Sequence, residues 1–302
     1  MIKYEGKKIA ITGYKGYIGS ALYNRLKEFE CDITCVDIDI SKRNEINTFF
    51  DNKKFDILFH LAASPVPYTV SKIQKTDDIL LERDINSSSI LHFYDSLNKS
   101  NTKVVFASST NVFGDVSTDV VDEETKSNPQ SLWASHKILA ENYLNILFHN
   151  SITLRIPNVY GIDDVEHYAN LKPIVNKVIN LGMVNKKLML YKNKLCFRDY
   201  IYIYDIVDAF LLAGLVDGDE SYYVLGCDEK KTISDVWNII SDKLGGLVIE
   251  DNKIDLNKME TRNYTANYSK FKSLTGWYPK FNIENGIEKS ISDIKRILNE
   301  RI

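Results

Sequence analysis

The 302-residue sequence predicts an α/β fold: a doubly wound parallel sheet followed by a smaller, C-terminal mixed α/β lobe. Three observations predict it. An apolar run, Ile9-Ala10-Ile11, leads into the glycine turn Thr12-Gly13-Tyr14-Lys15-Gly16-Tyr17-Ile18-Gly19 and then into a helix with Ile18, Leu22 and Leu26 on one face. Strand-like and helix-like segments alternate through the first half. Beyond Pro157 this regularity gives way to shorter mixed elements, which divides the chain into 1–156 and 157–302, with the chain free to cross between the lobes.

Strand, glycine turn and helix together aim backbone N–H groups and a helix N-terminus at a phosphate. Glycine permits positive φ, and without a Cβ the backbone can approach an anion closely. The spacing is G-x-x-G-x-x-G, not the commoner G-x-G-x-x-G. A second strand, Asp32 to Val36, ends at Asp37. Asp37 lies about twenty residues beyond the turn, where an acid hydrogen-bonds the adenosine ribose of NAD and repels a 2′-phosphate. Asp39 competes for that role, and Lys42 and Arg43 could serve a 2′-phosphate if their loop folds back. NAD is favoured.

A short helix over 44–52 precedes the third strand, Phe55-Asp56-Ile57-Leu58-Phe59-His60-Leu61-Ala62-Ala63, apolar throughout as a strand buried on both faces should be. Its small C-terminal residues leave room for a ligand, and His60 reads as a core residue. A helix over 77–97 carries Asn86 on a packed face, where it needs a partner. The fourth strand, 103–110, ends in Ser108-Ser109-Thr110, a hydroxyl cluster at the sheet edge that faces ligands. A rim loop, a long helix over 131–149 and a fifth strand over 151–155 follow. Later helices are expected at 170–181, 205–216, 233–244 and 283–298, the third opened by a capping box at Thr232-Ile233-Ser234-Asp235. Short strands are expected at 187–191, 222–225 and 247–249.

Hydrophobic residues make up 44% of the chain, enough for a substantial core, and the net charge is -3. With no long basic run, nucleic acid lacks its electrostatic footprint. No apolar run is long enough to cross a bilayer, no signal peptide fits the N-terminus, and Cys31, Cys35, Cys196 and Cys227 match no metal or redox spacing. Reduced core thiols in a cytoplasmic protein without a metal, a membrane or a nucleic-acid partner are expected.

The fragments together resemble the extended short-chain dehydrogenases/reductases, the nucleotide-sugar epimerase/dehydratase group, over essentially the full length. The matching residues are the glycine turn, Asp37, 55–63, Asn86, Ser108-Ser109-Thr110-Asn111-Val112-Phe113-Gly114, Leu154-Arg155-Ile156-Pro157-Asn158-Val159-Tyr160-Gly161, 197–205, and Ser269-Lys270 with Gly276-Trp277-Tyr278-Pro279. The resemblance implies a Rossmann fold with tightly held NAD and a nucleotide diphosphate sugar as substrate. It assigns NAD to Gly13, Gly16, Tyr17, Ile18, Gly19, Asp37, Leu61, Ala62, Ala63, Asn86 and Lys137. It assigns the substrate to Thr110, Asn111, Asn158, Arg198 and Arg262, with the arginines on the diphosphate. Ser109 aligns with the hydroxyl that bonds the reacting oxygen, and Lys137 with the lysine that holds the nicotinamide ribose.

The group's Tyr-x-x-x-Lys signature is altered: Trp133 stands where the tyrosine is expected, one helical turn before Lys137. An indole N–H donates only and is no base near neutral pH. Three readings follow: another proton carrier (Ser109 with a water, His136, Lys137, Tyr68 or Tyr168), a catalytically silent binder of cofactor and sugar nucleotide, or a changed reaction. His136 points about 100° away from Trp133 around the helix, which leaves Lys137 the better placed. Thr110 and Asn111 replace the Asp-Glu that dehydratases use for water loss, and neither titrates in range. Epimerisation or oxidoreduction at one ring carbon remains. The helices 77–97 and 131–149 carry apolar positions on more than one face, and a homodimer through them is expected.

Overall fold

The computed structural model describes residues 3–64, 76–97, 101–162, 173–190, 194–251 and 263–299. They form two compact units, Met1–Val112 with Pro129–Arg155 and Ala209–Tyr223, and Phe113–Asn128 with Ile156–Asp208 and Val224–Ile302.

In the first unit β1 (Lys8–Thr12), α1 (Tyr17–Leu26), β2 (Asp32–Val36), α2 (Arg43–Phe50) and β3 (Ile57–His60) follow one another. Next come α3 (Thr76–Arg83), a π-helical turn at Asp84–Ser88, α4 (Ser89–Leu97), β4 (Lys103–Ser109), α5 (Leu132–Leu147), β5 (Ser151–Ile156) and β6 (Tyr223–Val224). The sheet order is β2-β1-β3-β4-β5-β6, with β1 parallel to β2 and β3, and β3 parallel to β4. The order reverses at β1, so the crevice for a ligand opens at the carboxyl ends of β1 and β3. Both faces of the central strands are covered: Leu58 and Phe106 pack with Ile90, Phe93 and Leu144, while Phe59 meets Phe210 on the other side. This is why these strands read as continuous apolar runs.

The helix expected over 77–97 is interrupted. Ser87 and Ser89 donate to the carbonyls of Arg83 and Ile85 four residues earlier, at 2.9 and 2.8 Å, beside the widened turn. Helix α5 is capped by Ser131, whose hydroxyl accepts the Ala134 N–H at 3.2 Å.

The second unit is built from two-stranded ladders. Residues 120–121 pair with 265–266, 158–160 with 200–202, 197–198 with 231–232, and 187–190 with 248–251. Its helices include Ile174–Asn185, displaced by four residues from the expected 170–181, and Ile233–Lys243, with the expected capping box between Thr232 and Asp235. Buried carboxylates tie distant strands together. Asp199 accepts the N–H groups of Cys227 and Ala266, and Asp205 those of Lys280 and Phe281. The four cysteines are free but half-buried, so they are not the core thiols expected. Among the described residues no helix is long and apolar enough to cross a membrane.

Candidate active site

The glycine turn sits at the carboxyl end of β1. Gly13 has φ +69°, and a Cβ there would lie 2.6 Å from the Ala62 nitrogen after β3. A Cβ on Gly19 would run into the Gly13 carbonyl oxygen. Gly16 is the extended N-cap of α1 and offers no side-chain cap, and Tyr17 and Ile18 form the first helical turn. The Thr12 hydroxyl accepts the Ala62 N–H at 3.2 Å and shares a 2.7 Å hydrogen bond with His60 Nδ1. It ties the two strand ends together at the switch point. His60 is fully buried, and burial together with nearby Lys137 pulls its pKa down to about 3, so it stays neutral.

Leu61, Ala62 and Ala63 continue from β3 into Ser64, whose N–H donates to Asn86 Oδ1 at 2.9 Å. Asn86 comes from the π-helical turn, is buried, and its Nδ2 has no partner among the described residues. Asp37 follows β2 directly and is mostly exposed. Its carboxylate accepts from Lys15 at 2.7 Å and Tyr14 at 3.2 Å, and Lys15 holds it below the usual carboxylate range. Asp39 is occupied by Ser41 and Lys42, while Arg43 pairs with Asp95 at 2.6 Å. Lys42 and Arg43 are thus engaged away from Asp37.

Ser109 ends β4, and its hydroxyl accepts the Asn111 N–H at 3.1 Å. Thr110 and Asn111 open a short 3-10 turn. From α5, Lys137 donates to the Ala107 carbonyl at 2.8 Å, with its Nζ 4.6 Å from the Phe106 ring centre and 5.6 Å from that of Trp133. Burial pulls the lysine pKa down to about 8 against the raising influence of Glu141. One turn further along α5, Glu141 accepts from Ser108 and from Arg155 Nε and Nη2, the latter at 2.7 Å. Arg155 stacks on Tyr222 at 3.4 Å. His136 is buried on a different face of α5; burial and then Arg83 lower its pKa.

Asn158 and Arg198 belong to the second unit. Asn158 Nδ2 donates to the Asp199 carbonyl at 3.1 Å, and buried Arg198 donates to the Phe197 carbonyl at 3.0 Å. Arg262, Tyr68 and Tyr168 lie outside the described residues. No cluster of metal-ligating residues occurs among the described ones.

The model of the NAD dependent epimerase/dehydratase family matches residues 9–226. The chain belongs to this family. Its cofactor is NAD. Over its length the chain is 26% identical to the dTDP-4-dehydro-6-deoxyglucose reductase of Escherichia coli, covering 95% of this chain and 97% of that one. It is 24% identical to a putative UDP-glucose 4-epimerase of Methanocaldococcus jannaschii, covering 95% and 98%. In fold it resembles the UDP-glucose 4-epimerase of Thermotoga maritima, solved with UDP-glucose, at a TM-score of 0.82 and 21% identity over 96% and 99% of the two chains.

The described residues of the first unit fit NAD: a glycine cradle a Cβ would fill, an α1 N-terminus without a side-chain cap, and a buried Asn86 Nδ2 without a partner among the described residues. Sequence reasoning missed the Lys15–Asp37 pair and the Ser108–Glu141–Arg155 network. The second had a signal, since Glu141 follows Lys137 by one helical turn and therefore shares its buried face.

Proposed function

We propose that the protein modifies a nucleotide diphosphate sugar by NAD-dependent hydride transfer at one ring carbon, as an epimerase or oxidoreductase and not as a dehydratase. The observation that carries this reading is the buried Lys137 amine, anchored to β4 two residues before Ser109 in the same unit as the glycine cradle. NAD supplies the hydride acceptor and donor. Gly13, Gly16, Tyr17, Ile18 and Gly19 bind its diphosphate, Asp37 its adenosine ribose, and Leu61, Ala62, Ala63, Asn86 and Lys137 its nicotinamide half. Ser109 bonds the reacting oxygen, Thr110, Asn111 and Asn158 are the substrate-contacting residues, and Arg198 and Arg262 are the arginines for its diphosphate. Dehydration is disfavoured because Thr110 and Asn111 supply neither an acid nor a base. The names of the relatives, a reductase, epimerases and a dehydratase of sugar nucleotides, support the substrate class.

Trp133 favours a second reading, a binder of cofactor and sugar nucleotide without turnover. Incubation of the purified protein with UDP-, dTDP-, ADP- and GDP-sugars, read by NADH absorbance and by sugar NMR, separates the two. Turnover of any of them is expected; bound NAD with no turnover of any sugar nucleotide would sink the enzyme reading. A cytoplasmic setting fits the four unpaired thiols.

A further inference from the structure

We infer that the Lys137 amine itself takes up and returns the proton of the reacting alcohol, with Trp133 and Phe106 walling it from water. This rests on the hydride-transfer reading above and names the group that replaces the missing phenol. Lys137 is 3% exposed, yet no carboxylate pairs with it among the described residues. Glu141, the nearest acid on its helix, is already held by Ser108 and by Arg155 from β5. The amine has three hydrogen-bonding directions; the Ala107 carbonyl fills one, and two aromatic rings stand close by. His60, facing it from β3, is neutral.

A buried cation without a counter-ion is expensive, and such groups cluster at functional sites. Burial brings this amine to about 8, so it can be emptied and refilled near neutral pH, as a general acid–base requires. Its anchor, Ala107, fixes Nζ against β4 just before Ser109. The alternatives are poorer: Trp133 can only donate, the Ser109 hydroxyl does not titrate in range, and His136 is set among Arg83 and Asp84.

The step balances. The alcohol O–H bond breaks and an N–H bond forms from the Nζ lone pair. The O–H electron pair becomes the second bond of the carbonyl while the carbon's hydrogen leaves with its own pair to the cofactor. Reversal returns the proton from the ammonium.

The test has two arms. Trp133 emission, isolated by subtracting a Trp133→Phe variant, is titrated from pH 6 to 10 without substrate; a step with its midpoint near pH 8 is expected, absent in Lys137→Arg. In the second arm, arginine keeps a fixed charge and donors but cannot lose its proton. Lys137→Arg is therefore expected to lose at least about a hundredfold in turnover at saturating NAD, its NAD affinity being read separately by calorimetry. Trp133→Tyr is expected to move the pH limb of turnover away from the emission midpoint. A missing step, or Lys137→Arg turning over within about tenfold of the parent, overturns the assignment and leaves the hydride-transfer reading standing. A step without turnover of any sugar nucleotide by the parent overturns that reading, and the assignment falls with it.

Discussion

Glu141→Ala should destabilise the first unit severely. Glu141 and Arg155 are 5% and 3% exposed and joined at 2.7 Å. Removing one partner leaves an uncompensated buried charge, at a cost of about 3–5 kcal/mol. The Arg155 stack on Tyr222 at 3.4 Å is present before and after the substitution and drops out of the difference, and the lost Ser108 acceptor places the cost toward the upper end of that range. With a urea m-value of about 3 kcal/mol/M, the midpoint should fall by about 1–1.7 M. Glu141→Leu with Arg155→Leu should recover most of the loss, because an apolar pair of similar volume avoids desolvating two charges. The remaining deficit is the Ser108 hydroxyl, about 1–3 kcal/mol. Urea unfolding followed by circular dichroism measures both variants. A shift under about 0.3 M for Glu141→Ala, or a double variant no more stable than the single, would refute the view that this pair is a buried, mutually dependent clamp. Glu141→Gln keeps the shape and removes the charge that raises the Lys137 pKa, so the Trp133 emission midpoint should move down.

Gly19→Ala should weaken NAD binding more than tenfold by calorimetry, roughly the effect of 1.4 kcal/mol, because the new methyl group meets the Gly13 carbonyl and spreads the cradle. Lys137→Met should stabilise the protein at pH 7. The lysine pKa is lowered from its usual 10.5 to about 8, so the unfolded chain holds more protons between those values and parent stability rises with pH across that window. The burial penalty, about 3 kcal/mol, is fully present below pH 8 and gone above pH 10.5, and the advantage of the methionine variant in thermal unfolding should vanish over the same range. Asp37→Asn releases Lys15 and removes the acid, so the ratio of NADP to NAD affinity should rise with little change in melting temperature; an unchanged ratio would remove Asp37 from the ribose site. Leu80, Leu81 and Leu132 leave apolar surface exposed on α3 and α5, and the parent should scatter light as a homodimer while Leu81→Glu scatters as a monomer.

The first unit was legible where its physics is local. Strands β1, β3 and β4 are apolar because both faces are covered, and the glycine turn needs glycine for reasons visible in three residues. The capping box at Thr232 and Asp235 spans four residues and was equally readable. The π-helical turn was not, because its hydroxyl–carbonyl bonds at Ser87 and Ser89 resemble any serine back-bonding in an ordinary helix. Two-residue ladders in the second unit have no period to detect. Carboxylates that bind backbone N–H groups far along the chain, Asp199 at Ala266 and Asp205 at Lys280, help fix the positions of these segments.

The site divides in the same way. Residue types announced the cradle and the hydroxyl strand, but not which charges would be spent on one another. Lys15 consumes part of Asp37, Asp95 engages Arg43, and Arg155 consumes Glu141. What is left by that pairing is Lys137, a buried amine with one carbonyl acceptor and two aromatic neighbours. A tyrosine four residues earlier would bring a phenol that shares the proton chemistry with the lysine. Tryptophan brings a larger, bicyclic ring beside the amine and carries no acid that titrates in range. The substitution therefore shifts the task to the amine while keeping the wall, which is why Trp133 and Lys137 have to be tested as a pair.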